Sequence, residues 1–206
     1  GRGNDVLRGG SNTFALAGDG WRDPATGDRV SYQDAATAVT VDLGAGTGLG
    51  WGQDTISGIE NIFGSNWNDV LLGDPNPNVI WGDNGADTIR RRQGDDRIYA
   101  GNGGDNVWGE NGRDWVDAGA GNDTARGGSG PDTLLGRGDR DTLFGGDGPD
   151  TLYGGRGRDW HYANNAAHNK HPDPDALDGG AHNRDLCRGK LNGNASQRDT
   201  LVRCER

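Results

Sequence analysis

Aspartate returns at every ninth position, at Asp69, Asp87, Asp96, Asp105, Asp114, Asp123, Asp132, Asp141, Asp150 and Asp159, with Asn78 as the one change of residue type. Two places after each stands a mostly apolar residue: Leu71, Ile80, Ile89, Ile98, Val107, Val116, Ala125, Leu134, Leu143, Leu152 and then His161. Between them lie glycine-rich stretches, as in FGGDGPDTLYGGRGRDW (144–160). Such a unit reads as a six-residue turn ending in Asp, followed by a three-residue strand whose middle side chain points inward. A strand with one buried residue is stable only when its neighbours stack on it, which is the logic of a solenoid. Each turn reverses the chain, so two repeats make one coil of 18 residues and turns two repeats apart lie over one another.

Composition makes this architecture a physical problem. Leu, Ile, Val and Phe together number 32 of 206 residues, under the roughly 20% below which a charged chain stays disordered. Forty glycines and a formal net charge of -10 add conformational entropy and self-repulsion to the cost of folding. Either the chain is disordered, or a ligand supplies the missing free energy. A hard cation such as calcium takes six to eight oxygens, and stacked glycine-rich turns offer carbonyl oxygens plus one carboxylate each. Without the ion, stacked carboxylates repel one another, so the expectation is a chain folded with calcium and unfolded without it.

The nonapeptides GGDGPDTLY and GGSGPDTLL resemble the GGxGxDxUx units of the RTX, or hemolysin-type, calcium-binding repeats. The segment 31–73 is similar to the irregular lead-in that often precedes such arrays. The resemblance implies a site between stacked coils. It takes the second and fourth carbonyls and the aspartate of one turn, with the first and third carbonyls and the aspartate of the next but one.

Carried onto this sequence, the resemblance implies about eight calcium sites. On one edge the aspartate pairs are Asp69/Asp87, Asp87/Asp105, Asp105/Asp123, Asp123/Asp141 and Asp141/Asp159; on the other they are Asp96/Asp114, Asp114/Asp132 and Asp132/Asp150. The best-matched site joins the carbonyls of Gly128 and Gly130 with Asp132, and those of Gly145 and Asp147 with Asp150. On the first edge the implied backbone ligands are Gly82 and Asn84, Asp83 and Gly85, Gly101, Gly103 and Asn102, Gly119 and Gly121, Gly136 and Gly138, and Gly154 and Arg156. On the second they are Gly94, Gly109 and Asn111, Gly112, and Gly127 and Ser129.

Three turns depart from the pattern. Arg91 and Arg92 replace a glycine pair, so two cations are expected to crowd and weaken that site. DPNPN (74–78) lacks glycines and aspartate, which leaves a site pairing Asn78 with Asp96 empty or partial. Asp139 stands in a fourth-position glycine place, straining the backbone while offering a further oxygen.

The fold class expected is all-β: a parallel β-roll, or β-solenoid, of stacked 18-residue coils with an irregular lead-in and a disulfide-stapled C-terminal cap. One continuous domain divides into irregular coils with long loops (1–62), the regular array (63–162) and degenerate closing repeats (163–206). GRGNDVL reads as half a nonapeptide with Asp5 and Leu7 in place, and GDRVSY keeps the same offset through Asp28 and Val30. GAGTGLGWG misses the GxGxxG spacing and reads as a plain solenoid loop. Cys187 and Cys204, 17 apart, fall close enough on stacked strands for a disulfide, the alternative being two buried thiols. His168, His171, Asp173 and Asp175 match no structural zinc spacing.

Phase also places one residue per repeat outward. Trp81, Tyr99, Asp117, Leu135 and Tyr153 form one column; Leu72, Arg90, Trp108, Arg126, Phe144 and Tyr162 form the other. Such columns either bind a partner or shield a thin sheet. No regular threonine rank favours an ice-binding plane.

No HExxH, GxSxG or convergent carboxylate cleft is present, so the chain is read as a non-enzyme. It carries no basic stripe for nucleic acid and no apolar run long enough for a membrane span. The function expected is a secreted, extracellular calcium-binding structural or interaction module. The alternatives are a head-to-tail self-assembling filament subunit and the export module of a larger enzyme or toxin. Its partners would be calcium, a second copy or a cell-surface molecule.

Overall fold

The computed structural model describes residues 5–8, 27–50, 52–164, 176–178, 186–188 and 200–202. Among them the chain is all-β, wound into a parallel solenoid of two sheets, one of 11 strands and one of 9. Sequence neighbours alternate between the sheets. Trp115–Ala120 lies between Arg97–Asn102 and Thr133–Asp139 in one, while Thr124–Ser129 lies between Asn106–Asn111 and Thr142–Asp147 in the other. Every register in the array is one 18-residue coil, as in Ile98↔Val116 and Val116↔Leu134. No helix of the described residues is long and apolar enough to cross a membrane.

The core between the sheets is the column expected from phase. From Leu71 through Ile98 and Val116 to Leu152, each member is fully buried. His161 closes the column, also fully buried, and burial pushes its imidazole down to about 4, so it enters the core neutral. A second inner column lies two residues further along each strand, where Ala100 and Ala118 are fully buried. The rest of that column is mostly glycine, so little side chain fills this side of the coil.

The strands are longer than the sequence suggests. Three-residue strands occur at Val70–Leu72 and Thr88–Arg90, but within the array they run to six or seven residues, as in Arg97–Asn102 and Thr133–Asp139. The reason is that the turns stack as closely as the strands. Gly101 pairs with Gly119 and Asn102 with Ala120, so the ladder runs on into the turn.

The outward columns are filled as phase implies, and they cohere with themselves. Phe63 stacks on Trp81 with centroids 4.1 Å apart, and Trp81 on Tyr99 at 5.8 Å. On the other sheet Arg90 and Arg126, from the coils on either side, lie over the Trp108 ring at 4.3 and 5.3 Å from its centroid. Phe144 stacks on Tyr162 at 4.7 Å. Asp117, which interrupts the first column, forms an ion pair with Arg137.

Upstream, one expectation is corrected. The GAGTGLGWG region is not a plain solenoid loop but part of an antiparallel meander. Thr47–Leu49 pairs with both Thr40–Asp42 and Gln53–Ser57. The turn is made by Asp42, whose carboxylate accepts the Ala45 amide at 2.8 Å, and by Gly46 at φ 69°. Val6–Arg8 then pairs in parallel with Gln53–Ser57, placing Leu7 beside Ile56. Cys204 and the segment holding His168, His171, Asp173 and Asp175 lie outside the described residues, and so does the disulfide. The backbone of Cys187 pairs with His161.

Candidate metal sites in the turns

The aspartates form two vertical ladders. Each donates its amide to Oδ1 of the aspartate one coil on: Asp87 to Asp105 at 2.8 Å, Asp105 to Asp123 at 2.8 Å, and Asp123 to Asp141 and Asp141 to Asp159 at 3.0 Å. On the other edge Asp96 reaches Asp114 at 3.0 Å, Asp114 reaches Asp132 at 2.9 Å, and Asp132 reaches Asp150 at 3.0 Å. One oxygen of each carboxylate is thereby spent on holding the coils in register. This is why aspartate recurs: its short side chain reaches the backbone of the adjacent coil.

The other oxygen has a different fate. Oδ2 of Asp87, Asp96, Asp105, Asp114, Asp123, Asp132 and Asp141 is buried and accepts no hydrogen bond. An orphaned carboxylate oxygen in a protein interior is costly, the more so when repeated along a stack. Burial accordingly pushes these groups up from 3.8: Asp114 and Asp141 to about 8, Asp87, Asp123 and Asp132 to about 7, Asp105 to about 6. Asp96 also stays near 6, because the Arg91 guanidinium offsets part of its desolvation.

These oxygens do not point into empty apolar space. A Cβ built on Gly127 would lie 2.3 Å from Asp132 Oδ2 and 2.6 Å from the Gly145 carbonyl oxygen. The same convergence recurs at Gly109 (Asp114 Oδ2 and Gly127 O), Gly136 (Asp141 Oδ2 and Gly154 O) and Gly82 (Asp87 Oδ2 and Ala100 O). Under each such glycine, a carboxylate of one turn meets a carbonyl of the turn one coil on. That is the pairing of turns the sequence proposes for Asp87/Asp105, Asp114/Asp132, Asp132/Asp150 and Asp141/Asp159. Two oxygens facing one another with no donor beside them suit a hard cation. Among the described residues no group of three or more His, Cys, Asp or Glu side chains gathers, so any such ion must draw on backbone oxygen.

The third-position carbonyls are also placed. Those of Asn102, Ser129 and Asp147 accept the amides of Gly85, Gly112 and Gly130 from the preceding coil, at 2.8, 2.9 and 2.7 Å. Each retains a second lone pair.

The turns are tight enough to dictate residue type. A Cβ on Gly121, at φ 131°, would fall 1.7 Å from the Gly103 carbonyl oxygen. Asp83, Glu110, Arg137 and Asp139 hold comparable places with φ of 73–79°, so Asp139 keeps the turn conformation rather than abandoning it. Left-handed backbone at a non-glycine residue costs about 1 kcal/mol or more. Glu110→Gly is therefore expected to raise the calcium-saturated thermal midpoint by about 2–4 °C. Gly121→Ala is expected to lower stability by at least about 2 kcal/mol. Thermal denaturation of both variants checks the opposite signs.

A model of the RTX calcium-binding nonapeptide repeat matches in 4 copies, over residues 1–13, 63–98, 91–125 and 126–160, more than half of the chain. The chain belongs to the RTX calcium-binding nonapeptide repeat family. Comparison with curated proteins gives no significant match. The RTX match falls on the array and on the first strand, and passes over the antiparallel meander.

The RTX ladder extends upstream of Asp69, through Val39, Asp54 and Glu60, which the sequence did not single out. Asp5 donates its amide to Asp54 Oδ1 at 2.9 Å, Asp28 to Glu60 Oε2 at 2.8 Å, and Val39 to Asp69 Oδ1 at 2.8 Å. Their separations are 49, 32 and 30 residues. The available signals were the acid-to-core offset, met by Asp54 with Ile56 and by Glu60 with Ile62, and the place of Glu60 and Ile62 nine residues before Asp69 and Leu71.

Upstream carboxylates are also satisfied differently. Tyr32 donates its hydroxyl to Asp54 Oδ2 at 2.8 Å, and burial with this carboxylate pushes the phenol up. The Ser65 amide donates to Asp69 Oδ2, and the Ser65 hydroxyl to Oδ1 at 2.8 Å. The two arginines expected to crowd one site separate. Arg92 turns outward to Asp42 at 3.2 Å, whereas Arg91 is fully buried and pairs with Asp96 at 3.0 Å.

Proposed function

We propose that this chain is a secreted calcium-binding β-roll that folds on meeting calcium outside the cell and serves as a structural or interaction module rather than an enzyme. The observation that carries the reading is the recurrent meeting of two buried oxygens, Asp Oδ2 and a carbonyl, under the turn glycines. Calcium would supply the positive charge these pairs lack. Around it, Asp132 and Asp150 with the backbone of Gly128, Gly130, Gly145 and Asp147 form the best-matched set, and the remaining ladder aspartates repeat the arrangement. Keeping each Oδ1 on the neighbouring amide fixes the carboxylate, so little side-chain freedom is left to lose on binding.

The test is a calcium count on the full chain, by equilibrium dialysis with elemental analysis and by titration calorimetry. About eight ions per chain are expected, with magnesium failing to compete because it gives up its waters reluctantly. Fewer than one calcium per chain at millimolar concentration, or equal binding of magnesium, would defeat the reading. Secretion is checked separately, by locating the native protein in culture medium against cell lysate.

A further inference from the structure

Arg91 stands at the first position of its turn, where neighbouring turns carry glycine or alanine. Its side chain is fully buried. A Cβ on Gly73, one coil earlier, would lie 2.9 Å from Arg91 Cδ and 3.2 Å from Nη1, so the guanidinium fills the space beneath that turn. Nη1 donates to Asp96 Oδ1 at 3.0 Å and Nη2 to the Arg97 carbonyl at 3.2 Å. Asp96 Oδ1 also takes the Asn78 amide at 2.8 Å, so the cation sits where the ladder passes from Asn78 to Asp96.

We propose that the Arg91 guanidinium is a built-in replacement for calcium at the rung between the 73–78 and 91–96 turns, so that the coils upstream hold together without metal. This rests on the calcium reading of the later rungs. The partner turn is adapted to it. At its ladder position the acid is replaced by an amide, and Asn78 Oδ1 accepts the Asp74 amide at 3.0 Å while Nδ2 donates to Asp74 Oδ1 at 2.9 Å. One arginine therefore faces one ladder carboxylate here, whereas the rungs Asp87/Asp105, Asp105/Asp123 and Asp123/Asp141 bring two carboxylates together with no ion pair.

The same substitution of protein groups for metal holds further up. Tyr32 completes Asp54, and Ser65 completes Asp69. In Asp87, Asp96, Asp105, Asp114, Asp123, Asp132 and Asp141, by contrast, Oδ2 accepts nothing. Arg91 thus marks the end of a self-sufficient stack on which calcium-dependent coils can be added, since a formed edge strand templates the next.

Hydrogen exchange of the wild-type full chain in excess EGTA at pH 8 tests this without any variant. The amides of Gly64, Asn78 and Arg97, bonded to Trp81 O, Asp96 Oδ1 and Asn78 O, are expected to exchange at least about 100-fold more slowly than those of Asp114, Thr124 and Thr133. Equal rates in the two groups overturn the proposal. In calcium, Arg91→Gly is expected to bind one calcium more per chain than wild type, and an unchanged count in the folded variant overturns it. A wild type that binds no calcium defeats the function reading; one that binds calcium yet exchanges uniformly in EGTA defeats this inference alone.

Discussion

Dialysis against EGTA at pH 8 is expected to remove most of the β-sheet signal in circular dichroism, and calcium is expected to restore it cooperatively. The argument is one of charge in a thin interior. The array buries one apolar column of single side chains, from Leu71 to Leu152, and beside it two ladders of aspartates in which the inner oxygens of Asp87, Asp96, Asp105, Asp114, Asp123, Asp132 and Asp141 accept no hydrogen bond. At pH 8 those carboxylates are largely required to ionise, and stacked one coil apart they repel. An ion at tenfold excess over its dissociation constant contributes about 1.4 kcal/mol per site, so eight sites give on the order of 11 kcal/mol, comparable with the stability of a whole domain. Loss of that amount moves the array from folded to unfolded. A residual signal should remain from the upstream coils, whose carboxylates are held by Tyr32, Ser65 and Arg91. A spectrum unchanged after exhaustive chelation would show that calcium does not hold the array.

Lowering the pH of the metal-free protein to about 4.5 is expected to bring part of the array back. The folded aspartates titrate near 6 to 8, raised chiefly by burial, against 3.8 for an unburied carboxyl. A group raised on folding binds its proton more tightly in the native state, so protonation favours folding. That contribution is complete below about 3.8 and disappears as pH rises through 6 to 8. Protons then stand in for the ion. The optimum should lie near pH 4–5, because lower pH discharges the remaining acids and leaves 21 Lys and Arg to repel. In the calcium-bound protein the sign reverses: ligands must be deprotonated, so affinity should weaken as pH falls below about 7. Thermal melts from pH 4 to 9, with EGTA and with calcium, give two curves of opposite slope if this is right.

The two results share a cause with the composition. A chain so poor in large apolar side chains meets the entropy of ordering its glycines with electrostatics, and electrostatics can be supplied by an ion, a proton or an arginine. Arg126 and Arg90 around Trp108, and the Phe63, Trp81, Tyr99 stack, extend the same economy to the outer faces. There, ring faces and guanidinium planes cover strands that no second layer protects.

Much of this was legible from residue order. Between Asp69 and Asp159 the ninefold phase gave the coil length, the buried column, the pairing of ladder aspartates and the members of both outward columns. It could do so because every strand pairing in that region joins residues a fixed 18 apart, so local pattern and long-range pairing are the same information. Strand length was under-read, since glycine turns carry no sign that their own backbones stack. Upstream of Glu60 the period is absent, and tertiary structure alone decided the outcome: Asp54 is joined to Asp5 across 49 residues and Glu60 to Asp28 across 32, and an antiparallel meander fills the interval. The fates of Arg91 and Arg92 were also beyond sequence. Adjacent and chemically identical, they part because one side chain lies beneath Gly73 and pairs with the buried Asp96, and the other finds Asp42 at the surface.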